Sequence, residues 1–251
     1  MPVRILANAF APALVLVAAW LPGDLYAAQT NWSDVESRIQ YGYYTEDSRA
    51  LEGVMEPLAA GDETAIKQYY VGLANYRMML LLAREPGRAR SSAAACVSSL
   101  DKALDLRKEF ADALALQSVC LDRLAVLEAW RSPFAASKSG SQIEKARHLE
   151  PKNPRVLLMD AIETYERPKP TEADRERALS GFRRAAAAFE QERQEVEHYP
   201  GWGAAEAYMY LGRCFLERGS ALEARDALER ALLIAPEFAE ARRLLSKITS
   251  G

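Results

Sequence analysis

Between clusters of glycine and proline, apolar residues recur three and four positions apart along almost the whole chain. That is the spacing of helices with one buried face. No stretch alternates apolar and polar residues with the period of two of a half-buried strand, so the pattern predicts an all-α protein. It places one or two helices within 33–60, then helices over 65–82, 96–108, 111–127, 141–150, 154–166 and 172–192, an arm on each side of Gly219, and a last helix over 239–248. Ser33-Asp-Val-Glu and Ser141-Gln-Ile-Glu have the capping-box spacing that starts a helix. The stretches PKNP (151–154), RPKP (167–170) and HYPGWG (198–203) read as stops and loops. AWRSPFAASKSG (129–140) reads as a connection.

The pattern also repeats within the chain. Leu228–Ala241 and Leu100–Ala113 align without gaps, sharing Leu, Ala, Leu, Glu-Phe-Ala, an acid and Ala. Ile143, Ala146 and Pro151 give a third, weaker copy. Gly212 sits within the helical stretch YLGRCFLERG, where glycine costs about 0.5–1 kcal/mol against alanine. Close approach of a neighbouring helix is the compensation expected.

Residues 205–238 resemble a tetratricopeptide repeat, a helix–turn–helix unit of about 34 residues. Tyr208, the Leu211-Gly212 pair, Phe215, Gly219, Ala224, Leu228, Ala231 and Pro236 carry the resemblance. Three divergent units precede it. In the first, Val71-Gly72 takes the Leu-Gly role, and Asn75 to Leu100 spans 25 residues against 13 from Phe215 to Leu228. The 12 extra residues are assigned to the stretch REPGRARSS (84–92). The second unit has Gln117-Ser118 in that role and the third Asp160-Ala161. The resemblance implies a right-handed superhelix of stacked helix–turn–helix hairpins over 65–251, closed by a capping helix and preceded by a helical segment at 29–64.

The first 28 residues read as a secretory signal peptide. Arg4 precedes the apolar run Ala9–Leu21, and small residues near Ala27 and Ala28 suit cleavage. Export predicts a periplasmic protein, membrane-associated only if this segment is retained. Net charge is −3 with basic and acidic residues interleaved, which gives no electrostatic case for nucleic acid. There are three cysteines, Cys96, Cys120 and Cys214. Cys96 and Cys120 fall on successive helices, so either a disulfide or two small buried thiols fits.

Catalytic patterns are missing. The two histidines, His148 and His198, have no partner at metal-ligand spacing, and no nucleophile-elbow, phosphate-loop or dinucleotide glycine pattern occurs. The sequence points to a non-catalytic scaffold or adaptor of the bacterial cell envelope, with no cofactor or metal and a protein or peptide as partner. The resemblance implies that the first helix of each unit lines a concave groove for that partner. By register this gives Tyr69, Leu73 and Tyr76, then Arg155, Leu158, Ile162 and Tyr165, then Met209, Arg213 and Leu216, with Asp112, Val119 and Arg123 from the second unit. The competing reading is that Tyr69 and Tyr76 pack against helices from 33–60 lying in the groove. A membrane-anchored subunit of a secretion or pilus apparatus, and an enzyme with a composite site, are the alternatives in function.

Overall fold

The computed structural model describes residues 30–59, 63–128, 132–192 and 200–249. The proposed signal peptide and His198 lie outside the described residues. Eleven helices are formed among them: α1 (Trp32–Tyr44), α2 (Ser48–Ala59), α3 (Ala65–Leu81), α4 (Pro86–Leu106), α5 (Ala111–Leu127), α6 (Ser132–Leu149), α7 (Pro154–Tyr165), α8 (Glu172–Glu192), α9 (Ala204–Glu217), α10 (Ala221–Ile234) and α11 (Ala239–Thr249). Consecutive helices pair as hairpins, α3 with α4, α5 with α6, α7 with α8 and α9 with α10, and α11 packs on the last. Segment 33–60 forms two helices that pair with each other and lean on α3.

Small residues set how closely the hairpins close. A Cβ on Gly212 would fall 2.5 Å from Leu228 Cγ, and one on Gly72 would fall 2.7 Å from Leu100 Cγ. The two pairs are equivalent in the repeat, so the same glycine–leucine crossing is built twice. In the third hairpin Ala161 holds the glycine position, and the space comes from the other helix. There Gly181 faces Ala161, whose Cβ would lie 2.8 Å from an added one. In the second, Ser118 is fully buried at that position, its hydroxyl donating to the Ala115 carbonyl at 2.8 Å.

Three boundaries differ from the sequence reading. Helix α1 is capped by Asn31, whose side chain accepts from the Ser33 and Asp34 amides, rather than by Ser33. Helix α4 starts at Pro86, so much of the extra length in the first unit is helix; proline at the first position gives up an amide that had no partner there. Helix α6 starts at Ser132 and runs through Ser141, since no loop interrupts it. Helices α1 and α2, within the one or two helices expected over 33–60, pair as a hairpin ahead of the four.

A disulfide joins Cys96 of α4 to Cys120 of α5, across the boundary between two hairpins. Closing a loop over 24 residues stabilises by about 3 kcal/mol through the unfolded chain.

Gly212→Ala is expected to cost about 1–3 kcal/mol, because the new methyl meets the leucine branch. Gly53→Ala, where an added Cβ meets nothing within 4 Å, is expected to gain up to about 1 kcal/mol. Denaturant midpoints of the two variants check the contrast.

Candidate functional site

The inner face carries side chains from α3, α5, α7 and α9, and it is filled by the chain itself. Helix α1 lies across it. Trp32 stacks on Tyr70 with ring centres 5.5 Å apart. Glu36 accepts from the Tyr70 hydroxyl at 2.8 Å and from the Gly201 amide at 3.0 Å. At the other end Tyr44 packs on Phe238, 4.5 Å between centres. The segment 200–203 also packs there, and the buried Trp202 donates its indole N–H to the Tyr69 hydroxyl at 2.8 Å. Gly203 makes that entry with φ at +117°, and a Cβ there would strike the Phe189 ring at 2.5 Å. Only glycine fits both the torsion and the space.

At the centre is a buried ion pair. Arg77 of α3 and Glu206 of α9 have 2% and 1% of their side-chain surface exposed and are joined by a hydrogen bond from Nη2 to Oε1. Charges so placed are tolerated only when their remaining hydrogen-bonding capacity is filled. Here Gln40 Nε2 donates to Glu206 Oε1 at 3.0 Å, the Tyr44 hydroxyl donates to Oε2 at 2.8 Å, and Arg77 Nε donates to Gln40 Oε1 at 3.2 Å. The guanidinium also lies 4.2 Å from the Tyr43 ring centre and 4.9 Å from that of Trp202. Burial and the Glu206 charge hold the Tyr44 hydroxyl well above the ordinary tyrosine range, so it stays a donor.

Nine of the thirteen groove residues expected from the repeat register are therefore buried: Tyr69, Leu73, Tyr76, Asp112, Val119, Arg155, Leu158, Ile162 and Met209. Arg155 is taken up by Asp112 at 2.6 Å and Glu192 at 2.8 Å. Tyr165, Arg213 and Leu216 are half-buried at the rim. Arg213 donates to Glu240 at 2.7 Å, and the Tyr165 hydroxyl donates to Glu217.

Two adjoining clefts remain open at the rim, sharing Glu166 and Arg167. One, of about 860 Å³, lies between Tyr165, Arg175, Cys214 and Arg218. Burial pushes the Cys214 thiol up to about 12, with the Glu217 charge adding to it, so it is not a poised nucleophile. The other, of about 610 Å³, is walled by Val119, Ala125, Val126 and Pro168 and carries Asp122, Arg123 and Glu163. Its polar groups are poorly satisfied. Arg123 Nε and Glu163 Oε2 are buried without a hydrogen-bond partner. Burial pushes the Glu163 carboxyl up to about 7; the charge of Asp122 adds to it and the Ser118 hydroxyl opposes it. Asp122 is raised too, by burial against the opposing effect of Ser139, Arg167 and Arg123. Arg123 pairs with Glu166, which accepts from the Tyr210 hydroxyl at 3.3 Å.

Of these pocket residues the sequence reading named only Val119 and Arg123. Asp122 and Glu163 look like ordinary solvated positions, and Glu163 stands four residues before Arg167, the spacing of a surface ion pair. Arg77 and Glu206 carry no signal either, being 129 residues apart.

Arg77→Met leaves Glu206 buried and unpaired, and is expected to cost about 3–5 kcal/mol. Adding Glu206→Leu should recover much of that loss in urea denaturation. For Glu163, the folded state keeps its proton to higher pH than the unfolded chain. Stability tied to this group is therefore lost as pH rises from 4.5 through about 7. Glu163→Gln should melt higher than the parent at pH 8, by about 2 kcal/mol after allowing for solvent in the pocket, and alike at pH 4.5.

The chain matches no protein-family model and no curated protein sequence. Among solved structures it is similar to the HusA haemophore from Porphyromonas gingivalis, at 18% identity and a TM-score of 0.58, over 75% of this chain and 94% of that one. It is also similar to a thermophilic tetratricopeptide-repeat protein of Thermus thermophilus, at 12% identity and a TM-score of 0.53, over 88% of this chain and all of that one. At these identities the likeness is one of fold. The stacked hairpins, the repeated glycine–leucine crossings and these neighbours together establish that the chain has the tetratricopeptide-repeat fold.

Proposed function

We propose that the protein is a non-catalytic scaffold of the bacterial cell envelope, exported to the periplasm, that holds a segment of a partner protein. The observation that carries the reading is where the fold leaves room. Its inner face is occupied by α1 and Trp202, while a continuous pair of clefts stays open along the rim of α5, α7 and α9. Such a cleft combines apolar walls at Val126 and Pro168 with charged groups at Arg218, Glu217 and Arg123, which suits an extended segment with alternating anchors. The binding surface is thus narrower than the groove implied by the repeat register, of whose residues it retains Tyr165, Val119 and Arg123. Export is supported by the apolar N-terminal run and by the Cys96–Cys120 disulfide, which an oxidising compartment sustains.

A second reading, a carrier of a small ligand, is favoured by the size of the smaller cleft. About 610 Å³ is within the range of small-molecule sites, and one protein of similar fold is a haemophore.

Photo-crosslinking residues placed at Val126 and Arg175 in the clefts, and at Leu233 on α10 as control, distinguish the readings in envelope preparations. One discrete adduct from both cleft positions and none from Leu233 is expected, abolished by Arg218→Glu. Adducts equal at all three positions would overturn the scaffold reading. A saturable absorbance change with haemin in place of any adduct would support the carrier.

A further inference from the structure

We infer that the outer face of α10 pairs with the same face of a second copy of the chain, the two helices running antiparallel about a two-fold axis. This surface is separate from the clefts at the rim, and the inference does not rest on the proposed binding role.

The case starts from apolar surface at positions that other units leave small or polar. Leu233 is 83% exposed and Leu222 69%, the two most exposed large apolar side chains among the described residues. Counted from Leu100 and Ile143 as from Leu228, the equivalent positions are Ala94 and Asp105 in the first unit and Ser137 and His148 in the second. The two leucines are eleven residues apart in α10, three helical turns or about 16 Å. They therefore project from one side, opposite the buried face of that helix. Apolar groups in line on one exposed face mark an interaction surface, where single scattered ones do not.

The charges between the leucines name the occupant. From either end the face reads leucine, arginine, acid: Leu222, Arg225 and Asp226 from one, Leu233, Arg230 and Glu229 from the other. Asp226 and Glu229 project to either side of the line through the leucines, with Arg230 beyond Asp226 and Arg225 beyond Glu229. A two-fold axis between Ala227 and Leu228 lays an antiparallel copy on this face with like flanks together. Leu222 then stands opposite Leu233 of the second copy. On one flank Arg225 comes level with Glu229 of that copy, and on the other Arg230 with Asp226. Arg225 already donates to Glu229 of its own helix at 2.7 Å, so Glu229 keeps one cation and gains another. A parallel pair would satisfy the same charges, but it aligns the two helix dipoles, which the antiparallel pair opposes. A helix of another protein would need leucine and charge in this same order; the chain itself carries it. One helix face buries less than a standard interface, so the pair is weak and forms only at high concentration.

The test is sedimentation equilibrium of the purified chain from about 1 µM to about 1 mM. A monomer–dimer equilibrium with no larger species is expected. Leu233→Asp should weaken it about tenfold and leave the melting temperature of the dilute chain unchanged, since the side chain is exposed. Arg225→Glu should weaken it about as much, and adding Glu229→Arg should restore it. Orientation is read from disulfides. Leu222→Cys mixed with Leu233→Cys should crosslink under oxidant, while either alone should not, because like positions stand about 16 Å apart across the pair. The native Cys214 is buried and does not compete. A monomer throughout the range, open-ended assembly, no recovery on the charge swap, or equal crosslinking by Leu222→Cys alone would each overturn the inference. Crosslinking in envelope preparations runs far below these concentrations, so Leu233 remains a control there, and either result can fail without the other.

Discussion

A single buried ion pair constrains the whole molecule. Arg77 and Glu206 are almost wholly shielded from solvent, and a charge in that position is tolerable only when every neighbour arrives. Gln40 and Tyr44 come from α1, Tyr43 and Trp202 supply aromatic faces, and Glu206 comes from the last hairpin. The first helix, the first full repeat and the last repeat are thereby made mutually dependent. A repeat array normally couples only neighbours along its length. Here the ion pair joins units far apart, so fraying at either end exposes an uncompensated charge.

This arrangement decides which faces of the fold are filled and which stay open. The aromatic and apolar side chains that the repeat presents inward are occupied by the chain's own first helix, and their hydrogen bonds end on each other. Tyr69 with Trp202, Tyr70 with Glu36 and Arg155 with Asp112 and Glu192 are all closed pairs. Open space is left at the rim, where helices α5, α7 and α9 end. There polar atoms are left incomplete and space remains. The contrast between a satisfied interior and an unsatisfied margin separates structural charges from candidate functional ones better than burial or charge alone.

The stacking itself rests on a simpler device. A leucine from one helix enters the space left by a missing side chain on its partner, at Gly72 with Leu100 and again at Gly212 with Leu228. In the third hairpin the small residues exchange roles, with Ala161 on one helix and Gly181 on the other. The close crossing is kept although the motif residue is not. Divergent units can therefore keep one geometry while their sequences lose the pattern that identifies them.

The amino-acid sequence alone determined the helices and their pairing, because both follow from local periodicity and from side-chain volume at short separations. Gly212, Leu228 and the turn at Gly219 are close enough along the chain for their relation to be read directly. Helix ends were less legible. Asn31 in place of Ser33 and the helical start at Pro86 depend on which of several competent residues caps first. The tertiary structure alone decided that α1 occupies the inner face, that Arg77 meets Glu206 and that Asp122 faces Glu163. These contacts join residues tens to more than a hundred positions apart, and a carboxylate on a helix reads the same in sequence whether water or another carboxylate will surround it. Its chemistry is fixed by the neighbours that folding brings, and the linear pattern does not carry them.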